Sequence, residues 1–276
     1  MLAYFSIFIA MKRLLKKAHL YYYQIIVALV FASLYPFLYY YSRLPVKFHG
    51  MNRVRYVLSL FTSSLSGIFY RFKFEQEIDW NKPYIICPNH TSNLDISTVI
   101  LLSKRNFVFL GKDELLDNFI TGIYFKTIDI PLNRNSKFSS YRAFKRAEEY
   151  LQKGITVAIF PEGLISNDYP PELYPFKNGP FRLAIEQKIP IIPVTICNNW
   201  KICWDDGSKF GTRPGVSEVF VHKPIETDNL TILDAETLKD QVFDIINQKL
   251  KSYQAGLYNG GKEAIDELKT DEFLET

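Results

Sequence analysis

The stretch YIICPNHTSNLD, residues 84–95, decides the fold class of this chain. Its first four residues are apolar or aromatic, and a proline and a polar segment follow them. This pattern predicts a short buried strand that ends in a loop. Ser92 or Asn93 can cap a helix that has Asp95 in its first turn. A strand that leads through a loop into a helix is the repeating unit of α/β proteins.

The same alternation continues along the chain. Further strands are predicted at residues 107–111, 156–160, 191–196 and 218–222. Helical patterns lie near residues 96–102, 139–151, 181–186 and 235–253. We therefore predict an α/β fold, in which a single layered domain over residues 75–255 holds a mostly buried sheet flanked by helices. Residues 256–276 are charged and contain glycine, so we expect a polar C-terminal tail there.

Residues 1–74 are the basic part of the chain. They hold ten of the 33 Lys and Arg and none of the 29 Asp and Glu, so they carry +10 while the rest carries −6. A basic region of this kind attracts anionic lipid or nucleic acid. Here the cations flank two uncharged, tyrosine-rich stretches, at residues 18–42 and 56–70. That arrangement favours membrane lipid as the partner and argues against nucleic acid.

The two uncharged stretches predict how the chain meets the membrane. The first reaches the ~20 residues of a span only if its tyrosines are counted, and it contains Pro36; the second is too short. Four basic residues lie between the stretches, which disfavours a spanning hairpin. We expect residues 1–74 to form a hydrophobic helical membrane arm that lies in one leaflet, at the cytoplasmic face of the cell membrane. A single span through residues 18–42 is one alternative, and a buried core hairpin, which would leave the flanking cations unexplained, is another.

Cysteine and histidine usage argues against a metal site. The three cysteines form no C-x-x-C pair, and two of the four histidines lie in the basic arm. A zinc site would have to be assembled from scattered ligands. We expect neither a metal nor a cofactor.

His90 and Asp95 are the candidate catalytic pair. A spacing of five would place them on different faces of one helix, so they can meet only if His90 lies in the loop and Asp95 in the first helical turn. Asp95 would then accept a hydrogen bond from one imidazole nitrogen and raise the basicity of the other. No G-x-S-x-G motif occurs, so the base would act on the hydroxyl of a bound substrate.

Other segments follow predicted strands or apolar runs. FPEG, residues 160–163, places an acid and a glycine in a tight turn, and Arg134 follows an apolar run and can hold a phosphate through bidentate hydrogen bonds. Taken singly, Glu162 reads equally as an ordinary turn carboxylate, and Arg134 as a solvated surface cation. The sequence FKNG, residues 176–179, and the strand IIPVTI, residues 191–196, complete the set.

In this order the segments resemble the glycerolipid acyltransferases of the 1-acylglycerol-3-phosphate type. NHTSNLD matches the N-H-x4-D motif of that family, Arg134 falls at the Arg of its second motif, FPEGLIS at its third and IIPVTI at its fourth. FVFLGKDEL, residues 107–115, looks like the stretch between the first two motifs, and FKNG like the stretch after the third. The resemblance covers roughly residues 84–224.

The resemblance implies a reaction and a role for each matched residue. His90 would be the general base and Asp95 its orienting partner, and the acceptor hydroxyl would attack an acyl-CoA or acyl-carrier-protein thioester directly, without an acyl-enzyme. The acceptor would be 1-acylglycerol 3-phosphate and the product phosphatidic acid, for phospholipid synthesis. The residues implied to hold the glycerol phosphate are Arg134, Glu162 and Gly163, with Lys112 and Lys177 near the phosphates of the acceptor or of the carrier.

The sequence departs from the family pattern at two places. The glycine usual near the start of the second motif is replaced around Ile128, and Ile165 stands where F-P-E-G-T-R-S has its Arg. The loss of that cation keeps a different lysolipid acceptor open. A membrane scaffold with a decayed site and a thioesterase are further alternatives; the intact His90 and Asp95 argue against the first, and the missing nucleophile motif against the second.

Overall fold

A computed structural model describes residues 2–44 and 47–259, with side chains from residue 7 to 256 apart from 45 and 46. Its helices are α1 (Leu2–Ser42), α2 (Lys47–Leu65), α3 (Leu94–Leu102), α4 (Gly122–Phe125), α5 (Lys137–Gln152), α6 (Gly179–Gln187), α7 (Asn199–Ile202) and α8 (Ala235–Asn259). Its strands are β1 (Ile68–Phe74), β2 (Ile85–Pro88), β3 (Phe107–Lys112), β4 (Ile130–Leu132), β5 (Thr156–Ile159), β6 (Ile191–Ile196) and β7 (Gly215–Val221).

The strands form one mixed sheet in the order β1-β7-β6-β2-β5-β3-β4. Strands β6, β2, β5, β3 and β4 run parallel, β7 pairs antiparallel with β6, and β1 pairs parallel with β7. The predicted α/β fold with a buried sheet is confirmed, and all five predicted strands are present. Strands β1 and β4 were not predicted as strands.

Both faces of the sheet are covered, which explains why its central strands read as continuous apolar runs. Successive residues of a strand point to opposite faces, and Ile85 and Ile86 accordingly belong to two different core clusters. The cluster around Ile85 includes side chains from α1, α2, α5, α6 and α8, and the cluster around Ile86 includes side chains from α3.

Over residues 7–42, whose side chains the structure describes, helix α1 contacts the rest of the protein along one face. The buried side chains of Phe31 and Leu38 enter a core cluster. Near its middle, His19 donates through Nε2 to the Ser66 carbonyl at 3.0 Å, and its Nδ1 is 2.6 Å from Thr212 Oγ1. The opposite face exposes apolar side chains, among them Ile25 at 57% and Leu29 at 60%. Residues 7–42 form a helix that is long and apolar enough to cross a bilayer by length and composition, since an 18-residue window within it reaches a mean hydropathy of 1.6.

The predicted boundary at residue 75 is wrong, because the second uncharged stretch belongs to the folded body. Strand β1 is paired with β7 along its whole length, and α2 packs against α1 and α3. Within α2, Arg55 is 2% exposed and forms an ion pair with Asp129 at 3.1 Å. Its guanidinium also donates to the Phe107 carbonyl at 2.6 Å. These partners hold one face of α2 against the body, while Leu60, Phe61 and Leu65 remain exposed, so the folded domain begins before residue 75.

At the other end of the chain, α8 continues to Asn259, past the predicted end of the domain at residue 255. Most of the predicted polar tail, residues 260–276, lies outside the described residues.

Candidate active site

The carboxyl ends of the parallel strands gather the residues that the sequence singled out. His90 follows β2, Glu162 and Gly163 follow β5, Lys112 ends β3, and Arg134 follows β4. Because β2, β5, β3 and β4 are consecutive neighbours in the sheet, these segments meet at one edge. The carboxyl edge of an α/β sheet is where such proteins bind their ligands.

His90 lies in the loop after β2 and Asp95 in the first turn of α3, as the spacing predicted. His90 Nδ1 is 3.0 Å from Asp95 Oδ2. The same oxygen accepts hydrogen bonds from the backbone N–H groups of Thr91 at 2.6 Å and Ser92 at 2.8 Å. An oxygen that accepts from two amides also accepts from the ring, so Nδ1 carries the proton and Nε2 is left as the basic nitrogen.

The start of α3 explains why Asp95 folds back on this loop. Ser92 Oγ accepts from the Leu94 N–H at 3.0 Å, while the Asp95 carboxylate accepts from the two amides that precede the helix. A carboxylate in the first turn satisfies N–H groups that have no partner within the helix. Asn93 makes no side-chain capping bond, so Ser92 takes the capping role that was left open between them.

The second oxygen of Asp95 has a partner that sequence reasoning missed. Asn199, at the start of α7, donates from Nδ2 to Asp95 Oδ1 at 2.8 Å and to Thr98 Oγ1 at 3.0 Å. Both Asn199 and Asp95 are 0% exposed. Asn199 comes three residues after the predicted strand IIPVTI, and its polar position after a buried strand was the available signal.

The imidazole is held from the side as well. It stacks on the ring of Phe160 with centroids 4.0 Å apart and planes inclined by 23°. The preceding residue, Asn89, bridges to β6 because its side chain accepts from the Ile196 N–H and donates to the Ile196 carbonyl. The His90 side chain keeps 15% of its surface exposed, so it remains accessible at the edge of the sheet.

Glu162 is placed where it cannot take the predicted role of phosphate ligand. It is 1% exposed, its Oε1 accepts from the His90 N–H at 2.6 Å, and its Oε2 accepts from the Tyr174 N–H at 2.8 Å. Burial raises its pKa to about 8, although the two amide hydrogen bonds act in the opposite direction. A buried carboxyl group whose two oxygens already accept backbone hydrogen bonds has no surface to offer a phosphate.

Gly163 and Arg134 are in contact at the edge of the sheet. Gly163 has a φ of +79°, a left-handed conformation that favours glycine. A Cβ at this position would lie 3.5 Å from Arg134 Cζ, so the guanidinium packs directly against the turn. The structure therefore brings together two of the residues predicted to hold the glycerol phosphate.

Lys112 lies at the same edge, next to an acid that the sequence did not single out. Asp205 is half-buried, and its pKa is raised by burial and by Asp206 and lowered by the charges of His90 and Lys112. Its backbone has a φ of +51° and pairs with the catalytic loop, since its N–H donates to the Thr91 carbonyl at 3.1 Å. No motif in the sequence pointed to Asp205, because a distant segment brings it to the site.

Lys177 is tied to the FPEG turn by a backbone hydrogen bond. Its N–H donates to the Pro161 carbonyl at 2.8 Å, and this bond fixes the segment after FPEG beside the turn. The Lys177 side chain is exposed, as is that of Lys112.

This arrangement can deprotonate a hydroxyl group of a ligand that also carries a negatively charged group. A general base needs an accessible basic nitrogen and a partner that fixes its tautomer, and His90 and Asp95 provide both. Arg134 and Lys112 supply positive charge at the same edge. The fold and the site together thus define an α/β protein with a candidate general base at the carboxyl edge of its sheet.

Comparison with known families gives this class of protein a name. A family model described as Acyltransferase matches residues 48–197, more than half of the 276 residues. The chain belongs to the acyltransferase family. The matched region begins within α2, in agreement with the place of that helix in the folded body.

Curated relatives carry more specific names. A chloroplastic 1-acyl-sn-glycerol-3-phosphate acyltransferase of Brassica napus is 30% identical over 195 residues, which cover 69% of this chain and 54% of the relative. The 1-acyl-sn-glycerol-3-phosphate acyltransferase of Saccharomyces cerevisiae is 32% identical over 184 residues, which cover 60% of this chain and 56% of the relative. The chain therefore matches little more than half the length of these relatives.

A solved structure agrees with the fold. The 1-acyl-sn-glycerophosphate acyltransferase PlsC of Thermotoga maritima is similar with a TM-score of 0.73, over 88% of this chain and 98% of that chain, at 19% sequence identity. At this identity the likeness shows the architecture: a mixed sheet flanked by helices.

Proposed function

We propose that this protein transfers a fatty acyl group from an acyl-CoA or acyl-carrier-protein thioester to the free hydroxyl of 1-acylglycerol 3-phosphate, which gives phosphatidic acid. The observation that carries this proposal is the 3.0 Å contact between His90 Nδ1 and Asp95 Oδ2 in a chain of the acyltransferase family. The names of the relatives support the choice of acceptor.

The proposed mechanism uses His90 as the base and no acyl-enzyme. His90 Nε2 takes the proton of the acceptor hydroxyl while its oxygen forms a bond to the thioester carbonyl carbon. The tetrahedral intermediate then breaks its C–S bond, and the leaving thiolate takes a proton from the imidazolium. Asp95 accepts from Nδ1–H throughout and stabilises the imidazolium, as the orienting acid does in other base-activated nucleophiles.

The contacts at the sheet edge support an acceptor that bears a phosphate. Arg134 packs on Gly163, and both Lys112 and His90 lie close enough to Asp205 for their charges to act on its carboxyl group. A guanidinium binds phosphate oxygens bidentately, and a lysine adds a point charge. In this proposal Arg134, Gly163 and Lys112 hold the glycerol phosphate, with Lys177 beside them, while Glu162 holds the His90 backbone.

A different lysolipid acceptor is the second candidate, and Ile165 favours it. This residue replaces the Arg of the third family motif, so one expected phosphate contact is missing. Asp205 adds a negative charge near His90 that an anionic headgroup would have to tolerate.

We further propose that the protein acts at the cytoplasmic face of the cell membrane and that α1 is its anchor. The body covers one face of α1 from His19 to Leu38, which supports a helix lying in the interface rather than one crossing the bilayer. The exposed apolar face of α1 faces lipid in this arrangement, and the cations at residues 12, 13, 16 and 17 meet anionic headgroups.

A thiol-release assay on the full chain in detergent tests the proposal. It compares 1-acylglycerol 3-phosphate with the same lipid lacking its phosphate, using each thioester donor in turn. Release that depends on the phosphate is the expected result. Equal release with both lipids would favour the second candidate, a different lysolipid acceptor. Release without any acceptor would indicate a thioesterase.

The His90→Ala variant tests the base. We expect kcat to fall by about 10²–10⁴-fold, the usual contribution of general acid–base catalysis. His49→Ala, which removes an exposed imidazole on α2, is the matched control and should retain full activity. Turnover of His90→Ala within a factor of about ten of the parent chain would contradict the general-base role.

A further inference from the structure

Phe119 is an exposed aromatic side chain that the proposed reaction does not use. It lies in the turn before α4, and 82% of its surface is exposed. A single exposed apolar side chain is common on protein surfaces, whereas one that continues a larger exposed apolar face marks an interaction surface.

The turn that carries Phe119 is built to hold it outward. Asn118 Oδ1 accepts from the N–H groups of Ile120 at 2.9 Å and Thr121 at 3.0 Å. Gly122 closes the turn by donating to the Asn118 carbonyl at 2.8 Å, and a Cβ on Gly122 would lie 2.6 Å from a backbone oxygen. The exposure of Phe119 therefore belongs to a packed turn and not to a loose loop.

The position of Phe119 makes it continuous with the proposed anchor. Its ring meets Phe31 of α1 edge to face, with centroids 5.4 Å apart. Phe31 in turn meets Tyr35 at 5.8 Å, and Tyr35 meets Tyr39 at 6.5 Å. The exposed fractions of Tyr35 and Tyr39 are 43% and 51%. An aromatic row thus runs from the catalytic body onto the apolar part of α1.

We infer that Phe119 is a second membrane contact, made by the catalytic body itself, and that its ring enters the lipid interface beside α1. Exposed Trp, Phe and Leu side chains of interfacial proteins enter the boundary between headgroups and acyl chains. The turn follows the short segment after β3, whose last residue, Lys112, lies at the carboxyl edge of the sheet, so the contact brings that edge toward the membrane that holds the lipid acceptor. This inference rests on the membrane association proposed above and adds the surface that faces the bilayer.

Nitroxide labels on single introduced cysteines test the inference in the full chain, reconstituted with vesicles of phosphatidylcholine and phosphatidylglycerol. The labels replace Phe119, Ile25 on the exposed face of α1, and Leu233, which is 88% exposed and precedes α8. All three native cysteines are buried, and unlabelled parent chain measures any background. Collision with oxygen, which concentrates in lipid, is compared with collision with a water-soluble nickel complex.

We expect the labels at 119 and 25 to show an oxygen-to-nickel collision ratio several-fold higher than the label at 233. A label at 119 that matches 233 while 25 reports lipid would overturn the second contact and leave the anchor intact. Water at both 119 and 25 would overturn the anchor and the second contact together. Spin–spin broadening at 119 that disappears on dilution with unlabelled chain would mean that a second copy covers Phe119, which also overturns the inference.

Discussion

Two buried carboxylates flank His90, and they are built alike but act on different parts of it. Asp95 follows β2, Glu162 follows β5, and these strands are neighbours in the sheet. Each carboxylate accepts two backbone N–H groups, from Thr91 and Ser92 in one case and from His90 and Tyr174 in the other. Only Asp95 also touches the imidazole ring.

The difference teaches that a motif residue takes its role from the atoms it contacts. Asp95 contacts the atom that sets the tautomer of His90, so it bears on proton transfer. Glu162 contacts the main chain of His90 and of Tyr174, so it joins the catalytic loop to the segment after FPEG. We therefore regard Asp95 as the orienting acid and Glu162 as a positioning residue.

Among the variants that test the different roles of Asp95 and Glu162, Asp95→Asn should show the largest fall in kcat. Asparagine has no negative charge to stabilise the imidazolium, and its NH2 group would have to face either the Asn199 Nδ2 donor or the three N–H groups that Asp95 Oδ2 accepts. We expect kcat to fall by about 10²–10⁴-fold with a nearly unchanged KM for the acceptor. Steady-state kinetics in detergent measure both constants.

A matched control removes an exposed acid in the same way. Asp240 on α8 has a side chain that is 69% exposed, and Asp240→Asn should leave kcat unchanged. If Asp95→Asn kept the kcat of the parent chain, Asp95 would have no part in proton transfer. Asp95 and Glu162 would then both act only by positioning His90.

Glu162→Gln should change the pH dependence of stability more than the chemistry. The pKa of Glu162 is raised from 4.5 in the unfolded chain to about 8, so the folded protein binds a proton that the unfolded chain has released between these values. The contribution of Glu162 to the free energy of unfolding is therefore fully present below pH 4.5 and is lost as the pH rises to about 8. The slope is at most about 1.4 kcal/mol per pH unit.

Urea unfolding of both chains at several pH values between these limits measures this effect. The parent chain should lose stability relative to Glu162→Gln as the pH rises. The kcat of Glu162→Gln should be reduced less than that of Asp95→Asn, because the contact between His90 and Asp95 remains. A difference in the free energy of unfolding between the two chains that stays constant across this pH range would contradict the raised pKa of Glu162.

Asn199→Ala should give the smallest change in rate. It removes the donor to Asp95 Oδ1 and leaves the contact between Asp95 and His90 in place. We expect kcat to fall about tenfold at unchanged KM, which corresponds to the loss of about one hydrogen bond to a charged group. Asn198→Ala is the control, since that amide bonds to the Val216 carbonyl and the Glu218 N–H of β7. Equal kcat losses in the two variants would reduce Asn199 to a structural role.

The sequence predicted the sheet well because its central strands are buried on both faces. Continuous apolar runs such as IIPVTI can hardly be placed elsewhere, and the five predicted strands lie where the runs lie. Strand β4 has three residues, and β1 is an edge strand of alternating burial within a basic segment. Strand β4 is too short to give a periodic signal. Strand β1 does alternate aromatic with basic residues from Tyr70 to Phe74, but its cations and its place in the basic segment favour its assignment to the membrane arm.

The two uncharged stretches of the first 74 residues show where hydropathy fails. Both are aromatic-rich and flanked by cations, and both bury one face and expose apolar side chains on the other, such as Leu29 in the first and Phe61 in the second. What distinguishes the second is the burial of Arg55 against Asp129, a residue 74 positions further along the chain. A buried cation needs a partner, and the partner cannot be read from the segment that carries the cation.

The sequence by itself determined the α/β class, the order of the motifs and the pairing of His90 with Asp95, because each depends on residues close together in the chain. Only the tertiary structure decided that Glu162 holds a main chain, that Asn199 and Asp205 reach the site, and that α2 belongs to the core. Those outcomes depend on contacts between distant segments, and the free energy of such a contact is set by the packing around both partners.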